Sequence, residues 1–331
     1  MVRTFDVALC GYYGFGNLGD ELLLEAAVNL LVKNGTSKER IAVFSASPEE
    51  TEKKLGIKAF NRWSLTTLFS VLRRSETLLL GGGGLFQDAS SIKSPVYYWS
   101  VVKIARLCGA SVWMTGQSVG PLSSRLSRLF AKSAYSSCAA CSVRDTKSKE
   151  LLASWRINAF LTPDLVFSFV PERTEKSNSR IMLFNLRPGY RAVADKTAEY
   201  AAAYAEEHGL DIIAAGFAEE DIKELEHYEA CGVIKLKDKV LVKSADEFTA
   251  LAENASVSVG MRYHFILLSW LNSLPAVAGK YDPKVEAICA EFGIPGVEAS
   301  SPSAAVASPE SVSDKVQKSF SAIYKAVFRG I

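Results

Sequence analysis

Residues 255–270 carry the feature that most restricts the fold. Ala255-Ser256-Val257-Ser258 reads as a short buried strand, and Phe265 to Trp270 is an apolar run of helical length. Val259-Gly260-Met261-Arg262-Tyr263-His264 joins them. The Gly260 turn therefore stands at the carboxyl end of a strand and opens a helix, which is where open α/β sheets bind ligands. A helix start offers free N–H groups and a positive dipole end to an anion. Arg262 adds a planar fork suited to carboxylate or phosphate. His264 adds a group that moves a proton near neutral pH. The plain alternative is a helix start with an exposed Arg and a half-buried His. The other glycine-bearing strand ends along the chain weigh against it.

The same plan recurs from the first residues on. Strand Phe5 to Cys10 meets a glycine-rich turn, Gly11 to Asp20, and a helix follows over 21–34. Gly14, Gly16 and Gly19 match a dinucleotide-binding fingerprint. Yet the strand Ile41–Phe44 ends in Ser45-Ala46-Ser47, with no acidic residue for a ribose hydroxyl, and Asp20 and Glu21 would repel a pyrophosphate. The loop carrying Gly14, Gly16 and Asn17 better suits a neutral, hydroxyl-rich ligand, with Asp20 as acceptor, as base or simply as a helix cap. Strand Glu76–Leu80 runs into Gly81 to Gly84, followed by Gln87 and Asp88. Four glycines there let backbone amides approach a ligand or a facing domain closely, so Gly83, Gln87 and Asp88 are candidate ligand contacts. Strand Ser111–Thr115 is expected to end in a polar loop, Gly116 to Pro121. Arg144 and Asp145 open a helix after strand Cys138–Val143, with an ion pair as the structural alternative for Arg144.

Glu172 to Ser179 is polar, lacks apolar periodicity and reads as a linker. Strand Arg180–Leu186 then ends in Arg187, helix 191–208 and strand Leu210–Ala215 follow, and helices are expected at 217–229 and 245–253, with a short strand near Val233–Leu236. Strand Pro275–Ala278 ends before Tyr281-Asp282-Pro283-Lys284, which places Lys284 at another helix start. These alternations imply two Rossmann-like α/β domains facing across a cleft, residues 1–171 and 180–310, an architecture typical of group-transfer enzymes that hold donor and acceptor on different domains. A last helix, Ser311 to Arg329, is expected to pack back on the first domain.

Composition limits the partners. The chain has 331 residues, 48% hydrophobic, with a formal net charge of +2. Its Lys and Arg are dispersed along the sequence, which argues against nucleic acid. There is no signal-peptide pattern at the N-terminus and no apolar run of spanning length, so a cytoplasmic location is expected. Cys138 and Cys141 form the only close cysteine pair and read as buried thiols, since zinc would need a second pair.

Six blocks in one order then resemble the polysaccharide pyruvyltransferase family, and within it the CsaB-type enzymes of bacterial cell-wall polymers. They are Gly11 to Glu21, Gly81 to Asp88, Ser142-Val143-Arg144-Asp145, Leu186-Arg187-Pro188, Met261 to His264 and Tyr281 to Lys284. The likeness runs from residue 5 to about residue 290. It implies a glycosyltransferase-B-like fold, phosphoenolpyruvate as donor, and a sugar of a lipid-linked polysaccharide precursor as acceptor. The implied product is a pyruvate ketal, commonly a 4,6-ketal on a hexose such as N-acetylmannosamine. No cofactor and no metal are implied. Transient contact with the inner membrane surface and homo-oligomers are compatible with it. The residues fit this chemistry: Arg144, Arg262 and Lys284, with Arg187 as a fourth, match a carboxylate plus a phosphate. His264 is the expected proton carrier, and Asp20 or Asp88 serves the sugar hydroxyl. Two other classes share the sequence pattern, a nucleotide-sugar glycosyltransferase and a non-catalytic sugar- or anion-binding protein.

Overall fold

The computed structural model describes residues 3–89, 91–171, 179–299, 301–302 and 308–328. Most of the expected linker and Arg329 lie outside the described residues. The chain divides into two compact units, one of 1–15, 20–168 and 314–331, the other of 16–19 and 169–313.

The first unit opens with β1 (Phe5–Cys10) and α1 (Leu18–Lys33), then β2 (Ile41–Ser45), α2 (Pro48–Leu55), β3 (Lys58–Asn61) and α3 (Leu65–Arg73). It continues with β4 (Ser75–Leu80), β5 (Gly83–Phe86), α4 (Lys93–Leu107), β6 (Ser111–Val119), α5 (Arg125–Tyr135), β7 (Ala140–Val143), α6 (Thr146–Ser154) and β8 (Phe160–Leu161). The strands form one parallel sheet in the order β3-β2-β1-β4-β6-β7-β8, with β5 paired to β6. Central strands of a parallel sheet are covered on both faces and so are apolar at consecutive positions. Val7, Ala8, Leu9 and Cys10 accordingly have no exposed surface.

The second unit holds β9 (Ile181–Asn185), α7 (Arg191–His208), β10 (Asp211–Gly216), α8 (Glu219–Ala230), β11 (Leu236–Leu241), α9 (Ala245–Glu253), β12 (Val257–Gly260), α10 (Tyr263–Leu271), β13 (Ala276–Ala278) and α11 (Pro283–Phe292). Its parallel sheet runs β11-β10-β9-β12-β13. The last helix, α12 (Pro309–Phe328), buries Val316, Phe320 and Tyr324, each four residues from the next. Within the first unit, the Phe320 ring lies 4.7 Å from that of Trp113, and Tyr324 Oη is 2.9 Å from Thr36 Oγ1.

The structure corrects several expected boundaries. Gly116, Gln117 and Ser118 are inside β6 and not in a loop. Gln117 is wholly buried because its amide donates to Leu80 O and Gly81 O and accepts from Tyr135 Oη. The strand expected near Val233–Leu236 lies at Leu236–Leu241, an exposed edge strand. β12 sits two residues later than 255–258, so Gly260 is its last residue and not a turn. Helix α1 starts at Leu18, which makes Asp20 its third residue, while Asn17 Oδ1 accepts from Gly19 N at 3.2 Å.

Candidate active site

In the second unit the three adjacent strands β9, β12 and β13 end beside the candidate donor residues. Gly260 must be glycine, since a Cβ there would overlap the Phe265 ring. Arg262 then takes the N-cap position of α10 with extended backbone, and its amide donates to Asn185 Oδ1 at 3.1 Å. Asn185 in turn donates to Ala215 O at 2.9 Å, so the ends of three strands are tied together.

The Arg262 side chain is buried and clamped. Its Nε lies 3.1 and 3.0 Å from the two oxygens of Asp221, and Nη2 lies 2.5 Å from Asp221 Oδ1. Glu220, largely exposed, accepts a further bond from Nη2 at 3.1 Å. Asp221 is fully buried and also accepts from Phe217 N at 3.0 Å. Burial by itself would weaken the guanidinium's hold on its proton, but the Asp221 carboxylate outweighs this and raises its pKa. Nη1 makes no hydrogen bond among the described residues. The fork is thus fixed along one edge by Asp221 and Glu220.

Arg187, just after β9, donates from Nη1 to Tyr281 Oη at 2.7 Å and lies over the Tyr281 ring at 5.1 Å. Burial raises the Tyr281 pKa against the opposing pull of Arg187 and Arg262, so the phenol stays neutral. Asp282 caps α11 through the Lys284 amide at 2.9 Å, with Lys284 Nζ 3.7 Å from its carboxylate. His264, half-buried in the first turn of α10, stands against Gly19. A Cβ on Gly19 would overlap His264 Nδ1, and Leu18 N donates to Phe217 O at 2.9 Å. The stretch Gly16–Gly19, which includes Asn17, is accordingly counted with this unit. Arg187, Arg262, Lys284 and His264 therefore belong to one unit, and Arg144, Asp20, Gln87 and Asp88 to the other.

In the first unit Arg144 follows β7. Its Nη1 pairs with the buried Asp164, and its Nε donates to Ser118 Oγ at 2.8 Å. Asp20 lies beside Gly83, whose φ of +99° requires glycine. Gly81 and Gly82 have packing reasons, because a Cβ would meet Tyr13 Oη at the first and Leu23 at the second. Packing therefore accounts for two of the four glycines. Gly14, at φ +79°, sits against Ser45, and its amide donates to Glu21 Oε1 at 2.8 Å. Gln87 packs near Gly84. Asp88 accepts from the amides of Ser123 and Ser124, both at 2.8 Å, at the start of α5. Burial pushes its pKa up, but these hydrogen bonds win and hold it below the usual carboxylate range.

Sequence reasoning missed two features. One is Asp221, whose spacing with Leu225 and Tyr228 along the buried face of α8 was the available signal. The other is Arg62, only 3% exposed, which donates from Nη1 to Gly11 O at 2.6 Å and from Nη2 to Tyr98 Oη at 3.3 Å. Its guanidinium carbon lies 4.8 Å from the Tyr97 ring and 5.0 Å from that of Phe15. Burial pushes the thiols of Cys10, Cys141 and Cys289 up to about 11, which leaves them protonated and poor nucleophiles at neutral pH.

Comparison with known proteins now adds a family. The family model described as polysaccharide pyruvyl transferase matches residues 17–283. The chain belongs to that family, and it is a transferase. No significant match is found among curated proteins. Solved structures share the fold at low identity. The UDP-GlcNAc 2-epimerase of Neisseria meningitidis bound to UDP-GlcNAc has a TM-score of 0.61 at 11% identity, over 96% of this chain and 91% of that one. S. aureus MnaA with UDP has a TM-score of 0.61 at 9% identity, over 98% and 88%. The Methanocaldococcus jannaschii UDP-GlcNAc 2-epimerase has a TM-score of 0.57 at 11% identity, over 87% and 86%. They support the assignment of two Rossmann-like units of the glycosyltransferase-B-like class. Among the described residues no helix is long and apolar enough to cross a membrane.

Proposed function

We propose that the chain moves the pyruvyl group of phosphoenolpyruvate onto two hydroxyls of one sugar, releasing phosphate. The acceptor is a hexose such as N-acetylmannosamine in a lipid-linked cell-wall polysaccharide precursor, and the product a 4,6-ketal. The observation that carries this reading is Arg262. A buried guanidinium clamped by Asp221, with Nη1 unbound, at the carboxyl end of a parallel sheet, is a prepared anion contact. Arg187 and Lys284 stand at the neighbouring strand ends of the same unit. Arg144, which belongs to the first unit, is a further donor candidate and Asp20 the acceptor base, with Asp88 as its alternative. Gly14, Gly16, Asn17, Gly83 and Gln87 complete the acceptor loops. The reading needs neither cofactor nor metal.

In this mechanism His264 delivers a proton to C3 of the enol, which makes C2 electrophilic. One sugar hydroxyl adds to C2 and gives up its proton. The second hydroxyl then displaces phosphate from C2, and its proton leaves with the phosphate. Two O–H protons are lost, one equivalent ends on C3 and one on phosphate, so the step balances without a redox partner. A cation near the donor phosphate stabilises charge as the C–O bond breaks. His264, two residues after Arg262, follows it on the same turn.

Phosphate release from phosphoenolpyruvate against a panel of acceptor glycans tests the proposal. His264→Gln is expected to lose about a hundredfold or more in turnover while donor affinity by calorimetry is retained. Asp20→Asn is expected to slow turnover or raise the acceptor requirement, again with donor affinity intact. Near-normal turnover of His264→Gln at saturating donor would remove His264 from the proton step. Sugar transfer from a UDP-sugar without use of phosphoenolpyruvate would decide for a glycosyltransferase.

A further inference from the structure

Helices α3, α4 and α5 lie side by side against one core of the first unit. The Trp99 ring of α4 packs on Phe130 of α5 at 4.9 Å, and Trp99 Nε1 donates to Ser133 Oγ. At the end of α4, Cys108 Sγ lies 3.9 Å from Phe69 O on α3. The outer side of this layer has an unusual composition. On α5, Ser127, Ala131 and Ala134 face the core, while Leu126 and Leu129 are 55% and 60% exposed. A helix facing only water arranges its large apolar side chains the other way. On α3, Leu65 is 72% exposed and Phe69, one turn later, 48%, and Leu107 at the end of α4 is 82% exposed.

The same layer is uniformly basic. Arg73 on α3, Lys93 and Arg106 on α4, and Arg125, Arg128 and Lys132 on α5 are all exposed. These helices contain no Asp or Glu, and none of the six cations makes an ion pair among the described residues. The chain as a whole carries only +2, so the charge is local to this layer. On α5, Arg125, Arg128 and Lys132 stand three and four residues apart and so share one side of the helix.

We infer that the outer face of α3, α4 and α5 docks on a bilayer of anionic phospholipid. The six cations meet headgroup phosphates, while Leu126, Leu129, Phe69 and Leu107 enter the boundary between headgroups and acyl chains. Charge alone would fit nucleic acid, but that surface has no use for outward leucines. A second copy of the same face is disfavoured, because a two-fold pairing sets six uncompensated cations against six. The inference deepens the proposed function, whose acceptor is lipid-linked, but its test uses no substrate, so either can fail alone.

The full chain is sedimented with vesicles of phosphatidylcholine alone and of phosphatidylcholine with phosphatidylglycerol, at low and at physiological salt. Partition into the anionic vesicles only, weakening with salt, is the expected result. Arg125→Glu with Arg128→Glu should lower it at least about tenfold, as each basic residue near an anionic surface contributes measurably. Leu126→Ser with Leu129→Ser should also lower it about tenfold. The leucine variant should keep the wild-type thermal midpoint, and the charge-reversed one should fall only by what the Arg128 Nε bond to Leu122 O contributes. The inference is overturned if wild type ignores anionic vesicles, or if the charge-reversed variant partitions as wild type does. Binding to duplex DNA without vesicle binding would assign the face to nucleic acid. A dimer abolished by the leucine substitutions, without vesicle binding, would assign it to a second copy.

Discussion

Asp221→Asn is the most informative substitution the structure offers. It preserves shape and one acceptor oxygen but removes the charge that compensates Arg262. Both side chains are buried, and Asp221 has no exposed surface. Removing one member of a buried pair costs about 3–5 kcal/mol, because the other charge is left uncompensated. Two effects reduce this here. Asn still accepts a hydrogen bond, and Glu220 supplies a second carboxylate, although an exposed pair is worth at most about 1 kcal/mol. The expected loss is therefore about 2–3 kcal/mol. For a unit of this size that lowers Tm by about 5–10 °C. Urea unfolding followed by circular dichroism measures it, and the denaturant slope should be unchanged. The double replacement Asp221→Leu with Arg262→Met removes both charges and should return to within about 1 kcal/mol of wild type. It should nevertheless bind no phosphoenolpyruvate, which separates the stability of the pair from its use. A loss below about 0.5 kcal/mol in Asp221→Asn, the range of ordinary surface changes, would refute the claim that the pair is coupled and desolvated.

Other outcomes follow from single contacts. Gly19→Ala should leave unfolding midpoints nearly unchanged yet cut turnover, because the new methyl displaces the His264 ring; unaltered kcat would break that link. Asp88→Asn should destabilise by up to about 1 kcal/mol at neutral pH, because its amide can accept only one of the two bonds from Ser123 N and Ser124 N. Since the folded Asp88 carboxyl titrates below its unfolded value, its contribution is full above about pH 4 and fades as pH falls through the lower folded value. The two proteins should thus converge once the pH lies below that folded value, and a gap that persists there would show that the charge is irrelevant.

The strand–helix alternation was legible because buried parallel strands and capped helices leave strong local patterns. Helices Arg191–His208 and Ala245–Glu253 fell where their Gly209 stop and Ser244 cap predict. What failed was local polarity that only tertiary contacts explain. Helix Pro48–Leu55 is PEETEKKL, with Thr51 its one buried residue, and strand Lys58–Asn61 is a half-exposed edge, so neither carries a readable period. Gln117 looks like a loop residue until its three buried partners are seen. At the site, the glycine turns and Arg262 could be singled out, but not what holds Arg262. In Glu219-Glu220-Asp221 the three carboxylates look alike; helical phase alone buries the third.

The path of the chain also sets an order of assembly. Apart from Gly16–Gly19, the second unit is one continuous segment, 169–313, whereas the first recruits residues 314–331 from beyond it. During synthesis the N-terminal strands emerge first but wait for their final helix until the later unit has been completed. Until then Trp113, fully covered in the finished protein, lacks Phe320, and Thr36 lacks the Tyr324 hydroxyl. A nascent chain halted after residue 171 would therefore lack the Phe320 ring that packs on Trp113, and this part of the first core closes only when α12 arrives.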